Sequence, residues 1–97
     1  MKVIKKAFEF EWDEGNQEKP SKHGLTPEET EEVFFDENKV TFTDKIHSLN
    51  EERLRIIGKT KKNKLLFVVF TRRGKKIRII SARDINRKEV SLYEKST

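Results

Sequence analysis

The sequence predicts an α+β fold, an antiparallel sheet meander with helices packed on one face, and three observations carry that expectation. Short apolar runs over 40–43, 54–59, 65–70 and 77–82 have the length and patterning of strands. Compact turn sequences separate the last of these runs, and short turns join antiparallel neighbours. Two further segments, opening at Thr26 and near Asp84 or Asn86, carry helix-start signals. At 97 residues the chain has room for one domain, residues 1–97, and one core. Both helices are therefore expected on the same face of the sheet.

The elements follow in order. Phe8-Glu9-Phe10-Glu11-Trp12-Asp13 alternates apolar and acidic residues, the period of a strand with one buried face. Residues 14–22 are polar, and Gly15 and Pro20 both weaken a helix, so a loop or frayed turn is expected there. His23-Gly24 closes that turn. Thr26-Pro27-Glu28-Glu29 is a helix start: Thr26 caps, Pro27 suits the first helical position and Glu29 completes a capping box. That helix is expected to reach Phe35, with Val33 and Phe34 as its apolar face. Asp36-Glu37-Asn38 turns into a strand in which Val40 and Phe42 alternate with threonines. A loop is expected over 44–50, then a strand over 54–59 and a hairpin turn over 60–63. Leu65 to Phe70 is continuously apolar, as in a central strand covered on both faces. Residues 73–75 turn the chain into a last strand over 77–82. A final helix reaches about Lys95, with Ile85, Val90 and Leu92 facing the sheet.

Composition narrows the function. Charged residues make up 40% and hydrophobic ones 33%, near the boundary with disorder, and the chain folds because its apolar residues are clustered. With no cysteine there is no disulfide, thiolate metal site or thiol nucleophile. No run approaches the ~20 apolar residues needed to span a bilayer. The first six residues lack the apolar segment of a signal peptide, so a cytosolic location is expected. Residues 1–52 hold 7 Lys/Arg against 14 Asp/Glu, whereas residues 53–97 hold 15 against 3. So basic a half points to a polyanion, with a solvated, salt-bridged surface as the alternative.

Several sites are absent: no Gly-rich phosphate loop, no zinc-protease motif and no serine-hydrolase elbow. His23 and His47 lie far apart with no metal-like pattern, so neither a metal nor a cofactor is expected. What remains is a cationic cluster, Arg72, Arg73, Lys75, Lys76, Arg78, Arg83 and Arg87, around the last hairpin and the helix after it. A guanidinium can give two hydrogen bonds to one phosphate. Solvated edge cations that discourage strand aggregation are the plainer reading. Arg78 interrupts an apolar strand, so it either pairs with an acid from the N-terminal half or points at a ligand. Glu89 and Tyr93, four apart, share a helical face and could move protons beside these arginines. Equally, Glu89 could complete a capping box with Asn86 and Tyr93 could anchor the core.

The strings Phe10-Glu11-Trp12-Asp13, Lys22-His23-Gly24, Glu32-Val33-Phe34, His47-Ser48, Glu52-Arg53, Ile57-Gly58, Thr71-Arg72-Arg73-Gly74 and Arg78-Ile79-Ile80-Ser81-Ala82-Arg83, with Glu89 and Tyr93, resemble the BrnT toxins in order and spacing. The resemblance runs from Phe10 to about Glu94. It implies a RelE-like fold, and an endoribonuclease toxin of a type II toxin–antitoxin module that cuts RNA without metal and stops translation. It also implies direct neutralisation by a BrnA-type antitoxin, with DNA contacted only through the antitoxin. On that basis Arg73, Arg78 and Arg83 are expected to hold the phosphate, and Glu89, Tyr93 and His23 to transfer protons. Arg72, Lys75, Lys76 and Arg87 would bind flanking RNA. His47-Ser48 is read as a turn that orders the loop before the third strand. A non-catalytic nucleic-acid-binding module, a protein-interaction domain and a degenerate toxin would share the same basic half.

Overall fold

The computed structural model describes residues 8–17, 23–44 and 52–95. Strand β1 (Glu9–Glu11) leads into helix α1, described over 14–17, and then α2 (Pro27–Glu32), which tightens into a 3-10 turn over Val33–Phe35. Strands β2 (Val40–Thr43), β3 (Arg53–Lys59), β4 (Leu65–Arg73) and β5 (Lys76–Asp84) follow, and α3 (Arg87–Lys95) ends the described chain. Of the loop expected over 44–50, residues 45–50, with His47 and Ser48, lie outside the described residues, as do residues 18–22.

The sheet has five strands in the order β1-β5-β4-β3-β2. β2 through β5 form the antiparallel meander that their short turns dictate. β1 does not follow it: it pairs with β5 in parallel, Phe10 opposite Ile77, so the sheet is mixed rather than wholly antiparallel. Turn length predicts pairing only between strands joined by a hairpin. β1 is joined to β2, at the opposite edge, through α1 and α2, so no turn fixes its direction. Its place is set by burial instead, because Phe8, Phe10 and Trp12 pack on the core.

The helices also depart from expectation, since they lie on opposite faces. One face carries Leu54, Ile56, Leu66, Val68, Phe70, Ile77, Ile79 and Ala82 beneath Val33 and Phe34 of the 3-10 turn. The other carries Ile57 and Phe67 beneath Tyr93 of α3, with Val40, Phe42, Leu65, Val69 and Ile85 beside them. Central β4 alternates between the two sets, which is why its sequence is apolar without a break. An unbroken apolar run such as 65–70 requires two covered faces, and a chain of 97 residues covers both with one short helical element each. α3 meets the sheet through Glu89 and Tyr93, one turn apart, which leaves Leu92 exposed instead of facing the sheet.

Capping explains both ends of the chain's helical content. The Thr26–Glu29 capping box at α2 forms as expected, Glu29 N–H donating to Thr26 Oγ1 at 3.1 Å and Thr26 N–H to Glu29 Oε1 at 3.0 Å. A loop or frayed turn is expected from residue 14 onward, whereas residues 14–17 are helical. Asp13 and Asn16 form a reciprocal cap there: Asp13 N–H donates to Asn16 Oδ1 at 2.8 Å and Gly15 N–H to Asp13 Oδ1 at 2.8 Å. Two satisfied N-terminal donors outweigh the helix penalty of Gly15. Buried Asn16 also donates to the carbonyls of Glu11 and Ile79, both at 2.9 Å, and so ties α1 to β1 and β5.

Gly58 marks the closest approach of sheet and helical turn. A Cβ there would lie 2.7 Å from Val33 Cγ1 and 2.9 Å from the Val33 carbonyl oxygen, and backbone cannot move aside cheaply.

Candidate active site

The face under α3 is the one that gathers charge. Its geometry depends on an irregularity in β5. Ile79 and Ala82 are three apart, yet both are buried in the first core. The register shifts between Val69 and Phe70, so Val69 stands opposite Ser81 and Phe70 opposite Ile79, leaving Ile80 as the extra residue. In an unbroken strand residues 77, 79, 81 and 83 would share one face. The bulge turns Ser81 and Arg83 to the α3 side, with Arg83 opposite Phe67.

A cleft of about 300 Å³ opens there, lined by Asp44, Arg53, Arg55, Phe67, Ser81, Arg83 and Glu89 among others. Arg83 sits over Phe67, its guanidinium carbon 4.3 Å from the ring centroid. Its Nη1 donates to Glu89 Oε1 at 2.8 Å and its Nη2 to Glu89 Oε2 at 2.7 Å, a two-point fork. Nη1 also donates to the Asp84 carbonyl at 3.1 Å. The Arg83 side chain keeps 39% of its surface exposed, whereas that of Glu89 keeps 11%. Burial works to raise the Glu89 pKa, but the Arg83 fork and the Asn86 N–H outweigh it and hold the carboxyl below its ordinary value. The pair in turn raises the Arg83 pKa above its already high value.

Glu89 has a second duty. It accepts the Asn86 N–H at 2.9 Å, and its own N–H donates to Asn86 Oδ1 at 3.0 Å, which is the capping box of α3. Helix start and arginine fork thus share one carboxylate, which fixes Arg83 relative to the helix axis.

On β3, Arg55 faces the same cleft. Its Nη2 pairs with buried Asp44 at 3.1 Å, and its guanidinium lies 6.0 Å from the Phe42 centroid and 5.7 Å from that of Phe67. Two cations therefore share the Phe67 ring. Arg55 contributes to lowering the Glu89 pKa, after burial, Arg83 and the Asn86 N–H.

The other expected site residues lie elsewhere. Arg78, with 15% of its side chain exposed, donates from Nη1 to Glu11 Oε1 at 3.1 Å and Asp13 Oδ2 at 2.8 Å, and from Nη2 to Asp13 Oδ1 at 3.0 Å. Arg73 joins it on Glu11 at 3.2 Å. This ionic knot closes β1 onto β5, and the Arg78 bond is the largest cause of a lowered Asp13 pKa. Of the two readings open for Arg78, pairing with N-terminal acids is the one observed. At ~3.3 Å per residue, Arg78 and Arg83 stand roughly 15 Å apart along β5, so the structure does not gather Arg73, Arg78 and Arg83 around one phosphate.

Tyr93 is buried, and its hydroxyl donates to Asp36 Oδ2 at 2.6 Å. Burial and the Asp36 carboxylate push its pKa up to about 12. His23 is exposed in the turn before α2, and neither it nor Tyr93 lines the cleft. Arg72 pairs with Glu52 at 2.9 Å, and Lys75, Lys76 and Arg87 are exposed. No three His, Asp or Glu side chains among the described residues are grouped as metal ligands.

Residues 12–89 match the family described as ribonuclease toxin, BrnT, of type II toxin-antitoxin system. The chain belongs to the BrnT family. RNA is thus its substrate class and an antitoxin its partner class. The BrnT match spans Arg83 and Glu89 and ends before Tyr93. No curated protein matches the chain at a significant level. No described helix of this BrnT chain is long and apolar enough to cross a membrane.

Arg53, Arg55 and Asp44 were not singled out as site residues from the sequence. A signal for Arg55 was present: it breaks the apolar strand Leu54-Arg55-Ile56-Ile57, the same feature that drew attention to Arg78. Asp44 carried no such mark, since a loop aspartate is ordinary until its burial is known.

Proposed function

We propose that this BrnT chain is an endoribonuclease that holds the scissile phosphate at Arg83, cuts without metal in the cytosol, and halts translation until a BrnA-type antitoxin binds it. The observation that carries this reading is the Arg83 fork: half-exposed, seated on Phe67 and oriented by Glu89 before substrate arrives. Such preorganisation is what stabilises charge that develops on phosphate oxygens.

In the RelE-like chemistry the 2′-oxygen attacks the adjacent phosphorus in line. The O2′–P bond forms, the P–O5′ bond breaks, and the products end in a 2′,3′-cyclic phosphate and a 5′-hydroxyl. The attacking oxygen loses a proton and the leaving oxygen gains one. Of the three residues expected to handle protons, Glu89 alone lines the cleft. Phosphate drawn onto Arg83 competes with Glu89 for the fork, while Phe67 and the Asp84 carbonyl keep the guanidinium in place; the carboxylate so released becomes a stronger base and takes the 2′-proton, and solvent protonates the leaving 5′-oxygen. Tyr93, with a pKa near 12 and its proton directed to Asp36, is better suited to holding α3 on the sheet. The metal-free reading is supported by the donor set, since Asp44 and Glu89, the two carboxylates of the cleft among the described residues, each face an arginine.

Induction of the chain alone in bacteria is expected to arrest growth and degrade RNA, and co-expression of the cognate antitoxin to restore both. Purified protein should leave cyclic-phosphate ends on RNA in the presence of a chelator. Normal growth with intact RNA at high soluble expression would sink the reading.

A further inference from the structure

We propose that Arg55 is a second phosphate-binding residue of the active site, one that grips the RNA backbone beside the phosphate on Arg83. The inference rests on the ribonuclease reading and adds to it a contact from the far wall of the cleft.

Three observations converge. First, Arg55 occupies a strand position whose neighbours Leu54 and Ile56 are buried in the opposite core, so its side chain is committed to the α3 face. Against that floor the apolar alternative, an isoleucine or leucine on Phe42 and Phe67, would pack without desolvating a cation. Second, Arg55 and Arg83 both lie over Phe67, at 5.7 and 4.3 Å from its centroid. Two like charges on one ring each need an anion. In the free protein Asp44 pairs with Arg55 and Glu89 with Arg83, one carboxylate for each arginine. A nucleic-acid strand presents negative charges in succession, which is the pattern these two cations match. Third, the Nε of Arg55 is buried and has no hydrogen-bond partner among the described residues. A purely structural arginine has its donors met. Its resting pose, held through Nη2 to Asp44, is instead one from which a small rotation into the cleft would bring Nε and an Nη together onto a phosphate oxygen pair. Arg83 has its own two-point fork, Nη1 and Nη2, already engaged by Glu89.

The test measures equilibrium binding of a short single-stranded RNA carrying 2′-deoxy substitutions, at several salt concentrations, alongside cleavage of the all-ribose strand. Arg55→Gln is expected to weaken binding five- to fiftyfold and to reduce the log–log salt slope by about one, since one phosphate contact is lost. A residue with only a packing role would leave the slope unchanged. Arg55→Lys keeps the charge and loses the fork. It should retain the slope and weaken binding at least twofold, and it carries the test if Arg55→Gln does not fold. Parental affinity and slope in a folded Arg55→Gln, or parental affinity in Arg55→Lys where that variant carries the test, overturns the assignment of Arg55 while cleavage by the parent stands. A parent protein that neither binds nor cuts RNA overturns the ribonuclease reading and this inference together.

Discussion

Arg83→Lys is expected to lose cleavage by about ten- to a thousandfold, the range that single oxyanion donors are worth elsewhere, while binding RNA nearly as well as the parent. Lysine preserves the charge that attracts the backbone, so ground-state affinity falls little. What it cannot reproduce is the planar fork on Phe67, which meets two phosphate oxygens at once. Charge accumulates on those oxygens only as the 2′-oxygen attacks, so the loss should appear in kcat and leave KM close to parental. Stability should fall only modestly, because lysine keeps a cation against the largely buried Glu89 carboxylate and the Asn86 N–H still donates to it. Single-turnover kinetics and a thermal melt on the same preparation decide it. A folded Arg83→Lys that cuts at the parental rate would place the site elsewhere.

The opposite outcome is expected for Arg78→Gln: a melting temperature lower by roughly 5–10 °C for a domain of this size, with cleavage by the folded protein kept within about threefold. Arg78 is the hub of the knot that joins β1 to β5. Its loss leaves Glu11 and Asp13 as like charges with their shared cation removed. The pH dependence should change too. Asp13 has its pKa lowered, chiefly by the Arg78 bond, so its contribution to stability is present above the ordinary carboxylate range and is lost as pH falls through the lowered folded value. Without Arg78 that dependence flattens below about pH 4. Scanning calorimetry across pH 3 to 7 and the cleavage assay at low temperature measure both halves. An Arg78→Gln protein that melts like the parent yet has lost cleavage would move Arg78 from the fold into the site.

Much of this was legible in the residues. Period-two alternation marked β2, an unbroken apolar run marked β4, and short apolar runs bounded by turns marked β3 and β5, each to within a few positions of the observed strands. The capping box at Thr26 and the cap shared by Asn86 and Glu89 were visible, since caps are local chemistry. The parallel seat of β1 was not, because pairing between strands far apart in sequence is decided by which faces are buried. The Asp13–Asn16 cap was missed for a simpler reason: asparagine at the third helical position acts there as glutamate or glutamine usually does.

For the site, Arg83 and Glu89 were legible as individuals but their partnership was not. The five-residue spacing from Arg78 to Arg83 suggested one cluster. The bulge at Ile80 sits between them, and their separation along β5 assigns them to different ends of the strand. Arg55 comes from β3, and only strand register brings it across Phe67 to Arg83. Sequence proximity grouped the arginines by hairpin; strand register regroups them by position along the sheet.

The central claim is that RNA seats in the cleft beneath α3 and not on the β1–β5 knot. Arginine side-chain NMR on the isotopically labelled protein, titrated with a 2′-deoxy-substituted RNA that cannot be cut, tests it most directly. The account expects the Nε–H signals of Arg83 and Arg55 and the backbone amides of 81–89 to shift in a saturable way, with those of Arg73 and Arg78 nearly still. Saturable shifts confined to Arg73, Arg78 and the β1 edge, with Arg83 unmoved, would contradict it.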